Sequence, residues 1–121
     1  MSNEKSNDNT MYYEDGTRTG TYSAIPHAVL DKIADIDFTK DEWKILLRII
    51  RNTIGYEAHK NLTDGLSVRR MSYDFTEDYL VEKTGVGIYN LHSALDSLTK
   101  RNIIKCEKLK ITFNNNLGEW I

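Results

Sequence analysis

Two periodicities of apolar residues follow one another near the C-terminus of the chain. Between residues 86 and 100 apolar residues recur at helical spacing, which predicts an amphipathic helix. The residues of this stripe are Ile88, Leu91, Leu95 and Leu98. From residue 103 to residue 113 the spacing becomes every second residue, which predicts a β-hairpin. Gly85 stands before the helix and accepts a positive φ, so it suits a tight corner between two helices.

Three earlier helices are predicted from similar signals. The first begins at Ile25-Pro26, because proline is favoured in a first turn, and ends near Ile36. The second begins at the capping box Thr39-Lys40-Asp41-Glu42 and ends at Gly55. Its expected inward positions are Trp43, Leu46, Leu47, Ile50 and Ile54. The third is capped by Ser72 or Asp74 and ends at Gly85, with Phe75, Tyr79, Leu80 and Val81 facing inward.

The remaining segments are predicted to be irregular or short. Residues 1–20 are polar and predict a disordered arm, so the domain is expected to span residues 21–121. Met11-Tyr12-Tyr13 is the one apolar spot in this arm. Residues 56–66 contain turn residues and predict a loop, and residues 66–69 alternate as in a short strand beside the hairpin. Leu117 and Trp120 are expected to cover one end of the core.

The order helix, tight turn, helix and hairpin is typical of a winged helix-turn-helix. We therefore predict a mainly α fold with a small β-hairpin, a shape that places its second helix in the DNA major groove. The same order of elements also fits a small α/β core that has no role in nucleic-acid binding.

Composition narrows the class of protein. The chain has 121 residues, 40% of them hydrophobic and 28% charged, as expected for one globular domain with a tail. It contains no apolar run near the ~20 residues that a membrane span needs and no signal-peptide core, so a cytoplasmic location is expected. The net charge of −2 is unusual for a DNA-binding domain, which is typically basic. The single cysteine, Cys106, excludes an internal disulfide and is expected to be a small apolar residue.

Catalytic and metal-binding patterns are absent from the sequence. His27, His59 and His92 lack the spacing of metal ligands, and one cysteine cannot form a thiolate cluster. Gly85-x-Gly87 follows a helix and lacks a third glycine, so it is not a dinucleotide loop. We expect neither an enzyme nor a bound cofactor or metal.

Candidate DNA contacts fall into two groups. At the start of helix 86–100, Asn90 can read adenine, while His92, Ser93 and Tyr89 can contact bases or phosphates beside Ile88. The hairpin region is basic and suits backbone phosphates, which position a protein without specifying sequence. Its residues are Lys100, Arg101, Lys105, Lys108 and Lys110, with Arg69 and Arg70 expected beside them across the sheet. A hairpin edge kept soluble by lysines is the alternative explanation.

A second basic stripe lies on the predicted second helix. Lys44, Arg48 and Arg51 are spaced so that they share one exposed face. Such a stripe is either a solvated surface or a set of phosphate contacts.

Several segments together resemble the N-terminal domain of bacteriophage replication protein O, over about residues 22–121. The most distinctive is Arg51-Asn52-Thr53-Ile54-Gly55-Tyr56. The others, in chain order, are Ala24-Ile25-Pro26 with Leu30, then 38–42, 49–50, 72–75, 83–86, 94–104, 111–114 and Trp120-Ile121. Two departures stand out: helix 86–100 has no basic residue before Lys100, and the chain contains extra residues at 61–66.

The resemblance implies a phage origin, a winged-helix fold and binding of double-stranded DNA at repeats in a phage replication origin, in some members as a homodimer. In that family a separate C-terminal region recruits host helicase components. The chain ends where that region would begin, which fits either part of a longer protein or a small phage protein complete in itself. An alternative function is a small phage effector that binds and inhibits a host replication or defence protein through the 86–93 surface, with Met11-Tyr12-Tyr13 as a further contact.

Overall fold

The computed structural model describes residues 23–121, so the predicted arm, with Met11-Tyr12-Tyr13, lies outside the described residues. Within them the chain forms helices, strands and one short 3₁₀-helix at Leu117–Glu119. The helices are α1 (His27–Ala34), α2 (Lys40–Asn52), α3 (Glu77–Thr84) and α4 (Ile88–Lys100). The strands are β1 (Glu57–Lys60), β2 (Ser67–Arg69), β3 (Ser72–Asp74), β4 (Ile104–Glu107) and β5 (Lys110–Phe113). The predicted mainly α fold with a small β-hairpin is confirmed.

The strands form two separate antiparallel sheets. One has the order β3-β5-β4, and its hairpin β4–β5 is the predicted wing, which is called the wing below. The other is the hairpin β1–β2. Helix α3, a tight turn and α4 precede the wing directly, which is the order expected of a winged helix-turn-helix.

The core lies between α2, α3, α4 and the inner face of the three-stranded sheet. Its most completely buried side chains come from all four of these elements, and each contributes about 1.5–3 kcal/mol by leaving water. They are Ile45, Leu46, Ile49, Leu80, Leu91, Leu98, Ile103, Ile111 and Phe113. Trp120 closes one end as expected: its ring meets Phe113 edge-on at 5.8 Å, and its indole N–H donates to the Asn114 carbonyl at 2.9 Å.

Helix α2 buries a different face from the predicted one. Trp43 and Leu47 point outward, whereas Ile45 and Ile49 are buried together with Leu46 and Ile50. The helix carries two overlapping apolar stripes, and the sequence pattern alone does not rank them. In α4, similarly, Ile88 is 42% exposed, whereas Ala94, which the predicted stripe left out, is buried.

The segment between α2 and α3 also differs from prediction. Residues 57–60, expected in a loop, form β1, and residues 67–69 pair with β1 rather than with the wing. The strand beside the wing is β3, and Thr76, not Ser72 or Asp74, caps α3 by accepting from the Tyr79 N–H at 3.0 Å. β1 is exposed throughout, so it has no apolar face that the sequence could reveal.

Glu42 joins the capping box of α2 to α4. It accepts a hydrogen bond from the Thr39 N–H at 2.8 Å while the Thr39 hydroxyl accepts from the Glu42 N–H at 3.1 Å, which confirms the predicted capping box. Its second carboxylate oxygen accepts from the Ser97 hydroxyl on α4. Glu42 is only 4% exposed, and burial alone would raise its pKa. The hydrogen bonds from Ser97 and Thr39 and the charge of Arg101 outweigh burial, so the pKa of Glu42 is lowered.

The end of α2 is locked at Gly55. The Gly55 N–H donates to the Ile50 carbonyl at 2.8 Å, and the Gly55 carbonyl accepts from the Ala24 N–H at 3.3 Å. A Cβ at this position would lie 2.9 Å from both the Ile50 oxygen and the Ser23 Cβ. The chain ahead of α1 therefore passes over a position where only glycine fits.

We expect Gly55→Ala to lower the free energy of unfolding by about 1–3 kcal/mol, because backbone must shift to admit the added methyl group. Thermal unfolding followed by circular dichroism measures the effect. Gly118→Ala is the matched control, since its Cβ would meet the Asn116 Oδ1 at an ordinary 3.6 Å. Equal melting temperatures for the two variants would contradict the tight approach.

We expect Glu42→Gln to destabilise the protein at neutral pH by about 1–3 kcal/mol, because an amide cannot accept from Thr39 and Ser97 as a carboxylate does. The pKa of Glu42 lies below its ordinary value of 4.5, so the carboxylate stabilises the fold above that pH. This stabilisation is lost as the pH falls through the lower folded-state pKa.

Urea unfolding at pH 7 and at several acid pH values tests this expectation. The difference between wild type and Glu42→Gln should shrink below about pH 4.5. Glu82→Gln removes an exposed carboxylate from α3 and serves as the control. A difference that stays constant with pH would show that the charge of Glu42 is not what stabilises the α2–α4 junction.

Candidate nucleic-acid interface

The corner between α3 and α4 is built by Thr84 and Gly85. Gly85 has a φ of +74° and its N–H donates to the Val81 carbonyl at 2.9 Å, which ends α3 as predicted. The Thr84 hydroxyl donates to the Leu80 carbonyl at 2.6 Å and accepts from the Val86 N–H at 3.2 Å. These bonds fix the direction in which α4 leaves the turn.

The first two turns of α4 present an exposed surface. Its members are the five residues predicted for the recognition helix: Ile88, Tyr89, Asn90, His92 and Ser93. Tyr89 is 88% exposed, which leaves its ring and hydroxyl open to a partner. The structure thus brings these residues together on one projecting helix end, called here the α4 face.

His92 is tied to the preceding helix. Its Nε2 lies within hydrogen-bond distance of the Glu77 carboxylate in the first turn of α3. The contact bridges the two helices and orients the imidazole. It also places a carboxylate at the edge of the α4 face, where it opposes the approach of a phosphate.

The wing carries exposed lysines on a rigid turn. Lys108 and Leu109 both have positive φ, +50° and +68°, and form the two-residue connection between β4 and β5. The Leu109 carbonyl accepts from the Phe75 N–H at 2.9 Å, which ties the tip of the wing to the segment ahead of α3. Lys105, Lys108 and Lys110, the wing lysines, are all exposed.

The wing lysines are not equivalent. Lys110 stands between Asp74 and Glu107 in the sheet, so two carboxylates reduce the local positive charge. Lys105 stands beside Thr112, whose hydroxyl is hydrogen-bonded to Ser72 at 2.6 Å. Cys106 is half-buried on the opposite face of the same strand.

Comparison with known protein families shows the family to which this chain belongs. A family model for bacteriophage replication protein O matches residues 17–120. The chain belongs to the bacteriophage replication protein O family. This membership gives it a role in phage replication. No similar protein was found among curated proteins or solved structures.

Four other basic residues, which were predicted to contact the DNA backbone, lie outside both the α4 face and the wing hairpin of this replication O protein. Lys100 and Arg101 end α4, ~18 Å along the helix from Ile88. Lys100 pairs with Asp96 at 3.1 Å, and the Arg101 guanidinium lies 5.6 Å from the Phe38 ring. The expected position of Arg69 beside the wing is wrong, because it belongs to β2 and pairs with Glu57 of β1.

Arg70 has a structural role in this family member. Its guanidinium lies 3.9 Å from the Tyr56 ring and 4.4 Å from the Tyr73 ring, and its Nε donates to the Asn52 carbonyl at 2.8 Å. It therefore clamps the base of the β1–β2 hairpin to the end of α2. It does not lie among the wing lysines as predicted.

Sequence reasoning missed a polar cluster around Asn52 and Tyr79. The Tyr79 hydroxyl accepts from the Asn52 amide at 2.9 Å and from Arg48 Nη1 at 3.5 Å, and Arg51 Nη1 donates to Asn52 Oδ1 at 3.2 Å. Burial alone would raise the pKa of Tyr79. The hydrogen bonds from Asn52 and Arg48 and the charges of Arg48 and Arg51 outweigh it and lower that pKa. The basic stripe of α2 was the only sequence signal for this cluster.

Residues 23–121 contain no group of histidine, cysteine or acidic side chains arranged to hold a metal ion. His27 at the start of α1 and His59 on β1 are both exposed. No helix in the described part of the chain is long and apolar enough to cross a membrane.

Proposed function

We propose that this chain is the DNA-binding domain with which a phage replication initiator recognises repeats in its origin. The observation that carries the proposal is the projecting α4 face, held by the α3–α4 corner beside a rigid wing with three exposed lysines. A helix of this kind enters the major groove, while basic side chains beside it hold backbone phosphates. The proposal involves no catalysed reaction, cofactor or metal, and places the protein in the cytoplasm of the bacterial host.

Each group of residues has a distinct part in this proposal. Asn90 reads an adenine through paired hydrogen bonds, and Tyr89, Ser93 and Ile88 contact neighbouring bases, thymine methyl groups or phosphates. His92, oriented by Glu77, donates to a base or phosphate at the edge of the α4 face. The wing lysines contact phosphates, which adds affinity without sequence preference. Repeats in the origin would be bound by two copies of the chain.

A second candidate function is binding of a host protein through the same surface. Ile88 and Tyr89 give the α4 face an exposed apolar and aromatic character, and Glu77 adds negative charge beside it. Aromatic side chains of this kind anchor protein interfaces. In this role the protein would inhibit a host replication or defence component.

Fluorescence anisotropy separates the two functions. The purified protein is titrated with overlapping duplexes that tile its own gene and the flanking DNA, at two salt concentrations. Nanomolar binding of one fragment over its neighbours supports origin recognition. Uniformly weak binding that salt abolishes favours the protein-binding function, with Tyr89→Ala as the first variant to test against captured host proteins.

We expect the triple variant Lys105→Gln/Lys108→Gln/Lys110→Gln to bind every duplex more weakly and to reduce the salt dependence of binding. Each lost phosphate contact lowers the slope of log K against log salt by about one. Lys32→Gln/Lys40→Gln, which removes charge from α1 and the start of α2, is the control. If the triple variant keeps the salt slope of the wild type, the wing lysines do not contact DNA phosphates.

We expect Asn90→Ala to cost about 1–3 kcal/mol on the preferred site and little on other duplexes, because only the preferred site offers the adenine. Competition binding with the preferred and a scrambled duplex measures both values. Asn115→Ala, an exposed asparagine outside the α4 face, is the matched control. Unchanged sequence preference in Asn90→Ala would show that this residue does not read a base.

A further inference from the structure

Three arginines contact Asn52 or Tyr79, and they are called here the arginine cluster: Arg48, Arg51 and Arg70. Arg48 and Arg51 hydrogen-bond to the Tyr79 hydroxyl and the Asn52 side chain, and Arg70 donates to the Asn52 main-chain carbonyl. Asn52 is 4% exposed and is fixed by its own bond to Tyr79. Buried Asn52 and half-buried Tyr79 therefore hold three long side chains in set positions at the protein surface.

The arginine cluster carries uncompensated positive charge. The ion pairs among residues 23–121 involve Lys60, His92 and Lys100, and none of them includes these arginines. This is notable in a chain with 18 acidic and 16 basic residues, because carboxylates are abundant. Three like charges that are held around Asn52 and Tyr79 without a carboxylate partner favour the binding of an anion.

The donors of the cluster are largely unused. A guanidinium has five N–H donors in a planar fork, whereas within the described residues each of these three donates one hydrogen bond to protein. Arg70 lies against two tyrosine rings and donates from its side chain only through Nε, so its two Nη groups make no hydrogen bond to the described residues. Such a fork matches the oxygens of a phosphate.

The position of the cluster indicates which anion it meets. Tyr79 lies in the first turn of α3, and Glu77 in the same turn contacts His92 on the α4 face. In a helix-turn-helix the first helix crosses the DNA backbone while the second lies in the groove. The start of α3 is acidic, with Glu77 and Asp78, and cannot itself attract a phosphate. The arginine cluster supplies the missing positive charge at that point.

We propose that the arginine cluster is a second phosphate-binding site, which holds the DNA backbone on the α3 side of the major groove while the wing lysines hold it on the other. The proposal rests on DNA binding as the function of the domain. It adds a contact outside both the α4 face and the wing. It also assigns Asn52 and Tyr79 as positioning residues, which fix the arginines without contacting DNA.

The first test is the double variant Arg48→Gln/Arg51→Gln, which spares the structural Arg70. We expect roughly tenfold weaker binding to specific and nonspecific duplexes alike at ~0.1 M salt, and a salt slope lower by about two. Lys32→Gln/Lys40→Gln removes the same charge elsewhere and should change both values less. Arg48→Lys/Arg51→Lys should keep most of the slope, which separates loss of charge from loss of folding. Equal losses in the two glutamine variants would overturn the proposal.

A second measurement distinguishes failure of this site from failure of the proposed function. The arginine Nε–H NMR signals of the unmodified protein are followed during titration with inorganic tripolyphosphate. We expect the signals of Arg48 and Arg51 to move more than that of Arg101 at the far end of α4. If tripolyphosphate moves them but no duplex binds, the anion site stands and the DNA-binding function fails. If their signals move no more than that of Arg101, the site is wrong.

Discussion

The packing of α2 against α4 is the constraint on which the rest of the domain depends. Leu46 and Ile49 on one helix and Leu91 and Leu98 on the other are fully buried, and the Glu42 carboxylate joins the two helices at the edge of this apolar contact. A buried carboxylate is costly unless its hydrogen bonds are complete, so it tolerates little variation in how the helices meet. Since α4 both fills the core and projects its first turns outward, this contact sets the direction of the exposed face.

The sequence predicted those elements in which only one face carries an apolar pattern. The α4 stripe from Leu91 onward, the wing and the corner at Gly85 were predicted, whereas Ile88 at the start of the stripe is exposed. The face of α2 was mispredicted because Trp43 and Leu47 compete with Ile45 and Ile49 at similar spacing. β1 was missed, and β2 was assigned the wrong partner, because a strand exposed to water on both faces, as β1 is, has no apolar alternation. Contacts between distant residues, such as Arg70 with Tyr56 and Tyr73, have no sequence signature.

Separation of charge explains how an acidic chain can present basic surfaces. Carboxylates at Glu42, Glu77 and Asp96 are each bound to a residue of α4 or its neighbour, so they organise the helices. None of the wing lysines and none of the arginines of the cluster takes part in these contacts. The net charge of the chain is therefore a poor guide to the electrostatic potential at any one face of the domain. Asp74 and Glu107 beside Lys110 also limit the attraction of the wing to polyanions of any sequence.

The contacts of Arg70 with Tyr56, Tyr73 and Asn52 fix the base of the β1–β2 hairpin to the rest of the domain. The Arg70 N–H also donates to the Tyr56 carbonyl at 3.1 Å, so the two ends of the hairpin meet in one short, well-tied base. Beyond that base the hairpin buries little, and Leu62 at its tip is fully exposed. The length and sequence of this segment are thus uncoupled from the stability of the core. Evolution can lengthen, shorten or replace it without refolding the domain, which makes it the part of the molecule best suited to acquire a new contact.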